Sequence, residues 1–347
     1  MLRSYRKSWL PTSIARYFLL AFTTFLLVTG CSPQSTQSNS PQVEQTTASS
    51  KKLEVITIGH QSGTPGLNLL KAQGYLEKRF APDGITIKWI EFRGGPPMME
   101  AMAANSVDIG NVGNLPPIFA QAGDNPIVYV AATGSNAGAQ AVIVRKDSPI
   151  KTLAELKGKK VAIQKGTALQ YLLLKAIASA GLTLNDIQPA YLTIPESQVA
   201  FESAKVDVLP TSDPFYARKE QANEIRVIVK GSDVAPQRAY YIAIRNFAEN
   251  HPDLVKVILS EQRKVEEWAK ANPNEVAKLL AAQTREKPEV WKWALERRPI
   301  FGVFDITDEF VTEQQQVVDL FYSQKLIPKT FKIKDAVWKP KSLFTKR

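Results

Sequence analysis

The sequence predicts an α/β chain folded as two lobes joined by two crossing strands, and three observations carry that prediction. From Leu53 onward short apolar runs alternate with stretches of helical spacing, the order that builds largely parallel sheets covered by helices. Two apolar segments echo each other, V-I-V-R-K at Val142–Lys146 and Y-Y-I-A-I-R-N at Tyr240–Asn246. They bracket a stretch with its own strand–helix pattern, so the chain is expected to leave a first lobe and later return. One local design also occurs twice, as V-I-T-I-G-H-Q-S-G-T from Val55 and V-A-I-Q-K-G-T from Val161. In each, a strand delivers a Gln, then Gly and Thr, to the first turn of a helix, where unpaired N–H groups and partial positive charge collect.

Residues 1–30 stand apart from both lobes. They carry Arg3, Arg6, Lys7 and Arg16 without an acid, then an apolar run from Tyr17 to Val28, the pattern of an export signal. The run is too short for a stable membrane anchor. It ends in Val28-Thr29-Gly30-Cys31, which resembles the lipobox of bacterial lipoproteins, where the cysteine is lipidated and becomes the mature N-terminus. Cys31 is the only cysteine, which excludes an internal disulfide and a thiolate metal cluster. Residues 31–51 are rich in Ser, Thr, Gln, Asn and Pro, with Glu44 the sole charge between Ser32 and Ser50, and read as a disordered tether. Such a tether spans roughly 25 Å, enough to hold a folded body off a bilayer.

The remaining 52–347 segment exceeds one ordinary core at roughly 150 residues per domain. Lobe 1 is expected over 52–142 and 241–347, and lobe 2 over 143–240. Lobe 1 opens with strand Val55–Gly59 and helix Pro65–Gln73, then strand Ile85–Phe92, a helix from Pro96, strand Val107–Ile109 and a helix led by Leu115-Pro116-Pro117. Proline at a helix start is tolerated because its missing N–H had no partner there. Lobe 2 runs through strand Lys160–Ile163, helix Ala168–Ala180, a strand near Ala190, a helix around Gln198 and strand Val206–Leu209, with Asp213 capping the helix that follows. After the return, Leu254, Val257, Ile258, Val265 and Trp268 keep helical spacing, and Asn272 with Glu275 predicts a capping box. These C-terminal helices read as cover for lobe 1.

The composition excludes several function classes. The net charge of +11 becomes +7 without the four basic residues of the signal, and its densest cluster, Lys157–Lys160, has no aromatic companions. That is a solvated surface, and no nucleic-acid partner is expected. His60 and His251 are the only histidines and have no ligand-spaced companions, so no metal is expected. No G-x-S-x-G, G-x-x-x-x-G-K-[ST] or G-x-G-x-x-G motif occurs, so no cofactor or enzymatic role is expected. The binding machinery recurs instead. Gln61, Thr64, Asn114, Gln164 and Thr167 follow strands at the carboxyl edge, where open α/β sheets place ligands. Arg238, just before the second crossing, is positioned to offer an anion a two-oxygen contact.

Longer motifs extend this reading. K-W-I-E-F-x-x-G-P at Lys88–Pro96, L-P-P-I-F-A-Q-A at Leu115–Ala122, S-P-I-K-T-L-A-E-L-K-G at Ser148–Gly158, V-A-I-Q-K-G-T at Val161–Thr167, D-I-Q-P-A-Y-L-T at Asp186–Thr193 and D-L-F-Y at Asp319–Tyr322 resemble the substrate-binding proteins of ABC importers for aliphatic sulfonates. The wider group includes taurine and nitrate binders. The resemblance implies a periplasmic binding protein-like type II fold and a monomer that closes on a small organic anion and hands it to permease subunits. It implies ligand contacts at Gln61, Gly63, Thr64, Gly113, Asn114, Gln164, Gly166 and Thr167, with Gly95 of the first motif beside them. The chain departs from the family at Val112 and Asn114, at Ser212 where a Trp is usual, and at Arg238 and Ala239 where small residues are usual. Those departures leave the ligand's tail open. Another small anion, a thiamine precursor, or an enzyme on the same bilobal fold remain alternatives.

Overall fold

The structure, a computed structural model, describes residues 53–234, 236–298 and 302–339. The expected export signal, Cys31 and the expected tether lie outside them. In chain order the strands are β1 Val55–Gln61, β2 Thr86–Phe92, β3 Ile109–Gly113, β4 Ile127–Ser135, β5 Gln140–Arg145, β6 Lys160–Ile163, β7 Gln188–Tyr191, β8 Val208–Ser212, β9 Ile225–Lys230, β10 Arg238–Ile244 and β11 Val303–Phe304. The helices are α1 Pro65–Gln73, α2 Tyr75–Phe80, α3 Gly95–Ala103, α4 Leu115–Ala122, α5 Ala168–Ser179, α6 Ile194–Glu202, α7 Phe215–Gln221, α8 Arg245–Asn250, α9 Pro252–Ala271, α10 Pro273–Thr284, α11 Pro288–Glu296 and α12 Asp308–Ser323.

The strands form two sheets, ordered β11-β4-β10-β3-β1-β2 and β7-β6-β8-β5-β9. The sheets share one plan. In the first, β1 runs parallel to β2 and β3, and β10 lies antiparallel between β3 and β4. In the second, β6 runs parallel to β7 and β8, and β5 lies antiparallel between β8 and β9. The antiparallel strand in each is the one the chain delivers from the other sheet.

The changes of sheet occur between Ser135 and Gln140 and between Lys230 and Arg238. β5 and β10 therefore each belong to a single sheet, and the crossing itself is made by short links rather than along the strands. The links lie together: Asn136 N–H donates to the Gln237 carbonyl at 2.9 Å. A Cβ on Gly231 would stand 2.6 Å from the Ala137 carbonyl oxygen, so only glycine lets the two links meet.

Sequence character follows position in the sheets. Ala141–Val144 of β5 are fully buried, as expected of a continuous apolar run covered on both faces. The edge strand β2 exposes Thr86, Lys88 and Glu91, and charge there discourages pairing with another chain. Pro189 sits in β7, an edge strand, where its missing N–H costs no ladder bond.

Helix α9 buries Val255, Ile258, Leu259, Val265 and Ala269 at helical spacing, together with Gln262 and Glu266. The predicted capping box at Asn272 does not form. α9 and α10 abut with only Asn272 between them, and its amide donates back to the Trp268 carbonyl at 2.9 Å instead of opening the next helix. The C-terminal helices also reach the second sheet's side: Gln221 in α7 donates to the Glu289 carbonyl at 3.1 Å, and the Trp293 indole donates to Glu220 at 2.7 Å.

Candidate functional site

The two repeated segments fold as the same turn. Gly63 and Gly166 adopt φ of 74° and 75°, the left-handed region that glycine enters without steric cost. Thr64 and Thr167 are extended, at φ −108° and −105°. Their N–H groups donate to the Gln61 and Gln164 carbonyls at 3.4 and 3.2 Å. Their hydroxyls donate to the same carbonyls, at 3.1 and 2.7 Å. Neither threonine caps its helix through the side chain: with the hydroxyl turned to the glutamine carbonyl, its oxygen accepts none of the first-turn N–H groups. The donors left for a ligand are the first-turn N–H groups of the helices, which lack intrahelical acceptors. Pro65 has none, so the first turn offers Gly66 and the second Ala168 and Leu169.

These residues line one cavity of about 150 Å³. β1 and the start of α1 contribute Gln61, Gly63, Thr64 and Gly66; Gly95 and Gly113 stand beside them. The second sheet's side contributes Thr167, Ala168, Leu169, Ser212 and Asp213, and the links contribute Asn136, Ala139 and Gln140. Glu266, Trp291 and Arg298 close it from the C-terminal helices. The walls come close. A Cβ on Gly113 would lie 3.0 Å from the Ala168 Cβ, and one on Gly63 would lie 3.2 Å from the Pro214 Cδ.

The wall carries buried charge. The N-cap position of α7 falls on Pro214 rather than on Asp213; Asp213, one residue earlier, accepts the Ala217 N–H through Oδ1 at 3.0 Å, and its carboxyl also faces the cavity. Burial pushes it up to about 7, against the opposing pull of Arg297 and Arg298. Burial likewise pushes Glu266 up to about 7, opposed by the Gln262 amide and by Arg298. Arg298 is lowered by burial and raised by Glu266 and Asp213. Among the described residues no carboxylate oxygen lies within 4 Å of its guanidinium, so it is held by the field of these acids without being locked to either.

Four residues expected at the site lie elsewhere. Arg238 does not line the cavity: neighbouring residues of a strand point to opposite faces, and Ala239 takes the cavity side. The Arg238 guanidinium binds Glu313 through Nε at 2.6 Å and Nη2 at 2.9 Å, and lies 3.9 Å from the Phe310 ring centroid. Gln164 is buried behind its turn, donating to Ser197 Oγ at 2.7 Å and to the Pro210 carbonyl at 3.3 Å. Asn114 is buried, with its carbonyl accepting from Gln314 at 2.5 Å. Gly166 lines a neighbouring groove with Pro96 and Lys165.

The turns, their shared cavity and the two-sheet plan place the chain among known proteins. A family model described as NMT1/THI5 like matches residues 69–276. The chain belongs to that family. It is 36% identical over 290 residues to the putative aliphatic sulfonates-binding protein of Escherichia coli (strain K12), covering 84% of this chain and 90% of that protein. The alkanesulfonate-binding protein SsuA from Xanthomonas axonopodis pv. citri, solved bound to MOPS, superposes with a TM-score of 0.79 at 30% identity, covering 83% of this chain and 99% of that one. The fold is that of the periplasmic binding proteins, as the sequence led us to expect. The desulfurization enzyme DSZB shares it at 13% identity and a TM-score of 0.63, covering 82% of this chain and 96% of that one.

Within this family member, sequence reasoning missed Arg298, Glu266, Gln140 and Asn136. Glu266 had a signal: it falls in the stripe of α9 that otherwise buries Ile258, Leu259, Val265 and Ala269, where a carboxylate is costly unless it has work to do. Arg298 follows the end of α11 and carried none.

Proposed function

We propose that this protein is a lipid-anchored, extracytoplasmic receptor that captures an aliphatic sulfonate in the cavity and delivers it to the permease subunits of an ABC importer. In this reading Cys31 bears the lipid, residues 31–51 are the tether, lobe 1 and lobe 2 close on the ligand as a monomer, and no bond is made or broken. The observation that carries it is that first-turn residues of α1 and α5, Gly66 with Ala168 and Leu169, line one cavity with Arg298. Neutral N–H donors and one guanidinium suit a tetrahedral anion with three oxygens. The names of the relatives support the sulfonate.

Calorimetric titration tests it. Ethanesulfonate is expected to bind with a Kd of about 1 μM and to be recovered unchanged, with sulfate and nitrate weaker by about 10-fold or more. Arg298→Gln is expected to weaken ethanesulfonate by about 10-fold or more, since a charged hydrogen bond contributes about 1.5–3 kcal/mol. Arg238→Gln is expected to leave the affinity unchanged. Tighter binding of nitrate than of any sulfonate, or turnover of the bound ligand, would refute the assignment.

A further inference from the structure

Three ionisable side chains from separate parts of the chain meet in the cavity wall. Asp213 follows β8, Glu266 lies on α9 and Arg298 follows α11. The two carboxyls are 3% and 4% exposed. Glu266 Oε1 accepts the Gln262 amide at 2.9 Å, whereas Asp213 Oδ2 receives no protein hydrogen bond. Arg297 approaches Oδ2 through Nε at 3.8 Å, beyond hydrogen-bonding distance, and is committed to Glu220 and to the Tyr216 ring at 4.1 Å. Arg298 is therefore the cation that both carboxyls share inside the cavity.

The charge of this trio decides when it can accept an anion. With both carboxyls ionised it carries a net negative charge, and a sulfonate adds another within about 150 Å³. With both protonated it carries a net positive charge, and the same sulfonate makes the set neutral. Charge held away from water is costly unless it is paired, so the protonated form is the one suited to an anion. The polar wall agrees. Gln140 Oε1 and Asn136 Oδ1 line the same cavity and are buried without a donor. An ionised Asp213 Oδ2 adds a further bare acceptor, while a protonated one supplies an O–H.

We propose that anion capture is coupled to proton uptake by Asp213 and Glu266, whose neutral carboxyls leave Arg298 to the ligand. The protons come from solvent and return to it on release. This rests on the sulfonate reading above and adds a second, linked ligand to it. The groups facing Asp213 are Arg297, Arg298, Glu220 and Tyr216, and those facing Glu266 are Arg298, Lys270 and Tyr241. His60 and His251 line no part of the cavity. Burial holds each carboxyl at about 7 against the pull of Arg298. A bound anion pushes both higher, by its own field and by drawing off Arg298. Affinity is therefore greatest where both carboxyls are already protonated, below about pH 6, and falls as pH rises through 7.

The test is calorimetric titration of ethanesulfonate into the purified protein at pH 6, 7 and 8. Sulfonate buffers are avoided, because they are themselves candidate ligands. Affinity is expected to fall from pH 6 to 8 by about 10-fold for each carboxyl that titrates. At pH 7 the heat measured in imidazole, triethanolamine and Tris is expected to follow the buffer's ionisation enthalpy, with a slope of about one proton taken up per ligand. Asp213→Asn and Glu266→Gln each put a neutral amide of the same shape in place of the acid. Each is expected to bind ethanesulfonate more tightly than the unaltered protein at pH 8 and to take up fewer protons. Equal affinity at pH 6 and 8 without buffer dependence overturns the coupling and leaves the sulfonate reading standing. So does tighter binding at pH 8 than at pH 6, or uptake that persists in the double variant. Silence toward ethanesulfonate at every pH overturns both.

Discussion

The turn after β1 and the turn after β6 share a backbone and differ in what their glutamines do. Gln61 lines the cavity and donates to the Asn111 carbonyl at 3.0 Å, whereas Gln164 is buried and braces β8 through Ser197 and Pro210. The cause lies next door. Pro210 breaks the usual strand pattern, and β6 pairs with β8 only at Val161 and Val208, so a side chain must satisfy the carbonyl that the ladder leaves over. In the first turn the glutamine braces only the Asn111 carbonyl of β3, and it stays half-buried at the cavity. The helices diverge too: α1 starts with Pro65 and a kinked Gly66, while α5 supplies two N–H groups. One local motif thus fixes where a binding edge forms, and the packing beside it decides which of its groups a ligand meets.

The largest expected effect separates the two glutamines. Gln164→Ala strips donors from two buried partners and is expected to destabilise the fold by about 2–3 kcal/mol. Gln61→Ala removes one half-exposed bond and is expected to cost under about 1 kcal/mol while weakening ligand several-fold. Urea unfolding and calorimetry on both variants check this. A Gln164 variant that keeps its stability and loses ligand would reverse the assignment of roles.

That asymmetry marks what the sequence can and cannot disclose. The two-lobe plan was legible because it is written in local patterns: V-I-V-R at Val142 and Y-I-A-I at Tyr241 are continuous apolar runs, and the Gln–Gly–Thr turns are short-range. Gly63, Thr64 and Thr167 could be placed at the cavity for that reason. Gln164 could not be placed behind it, because that depends on Pro210 and Ser197, which are distant in sequence. Arg238 was misplaced by a single step of strand alternation that the sequence reading left undecided. Arg298 and Glu266 come from the C-terminal helices, which read as cover because helical spacing reports a buried face without saying what lies across it.

The glycines test whether the backbones are truly equivalent. Alanine at Gly63 or Gly166 must hold a left-handed φ, which costs about 1–2 kcal/mol. Each new Cβ also meets a proline from the opposite wall, at 3.2 Å from Pro214 Cδ and 3.3 Å from Pro96 Cγ. Gly63→Ala and Gly166→Ala are therefore expected to lose similar stability, with Tm lower by about 2–8 °C in both. A loss confined to one of them in thermal unfolding would show that the turns are equivalent in geometry and not in energy.

The threonines give the smallest and most discriminating difference. Thr64→Val and Thr167→Val each remove one hydroxyl donor from a glutamine carbonyl at nearly constant shape. The Gln61 carbonyl keeps the Asn68 amide at 2.7 Å as well as the Thr64 N–H. The Gln164 carbonyl, on a buried residue, keeps only the Thr167 N–H at 3.2 Å once Thr167 Oγ1 is removed. Loss of a buried bond that leaves one donor costs about 1 kcal/mol, and loss of one that leaves two costs about half of that or less. Thr167→Val is therefore expected to be the more destabilised of the pair in urea unfolding. Both variants should retain the ligand within about 3-fold, because the hydroxyl protons point into the turns and the first-turn N–H groups meet the anion. If Thr64→Val instead abolished binding with its stability intact, the Thr64 hydroxyl would have to turn toward the ligand on binding, and the first turn would differ from the second in motion as well as in packing.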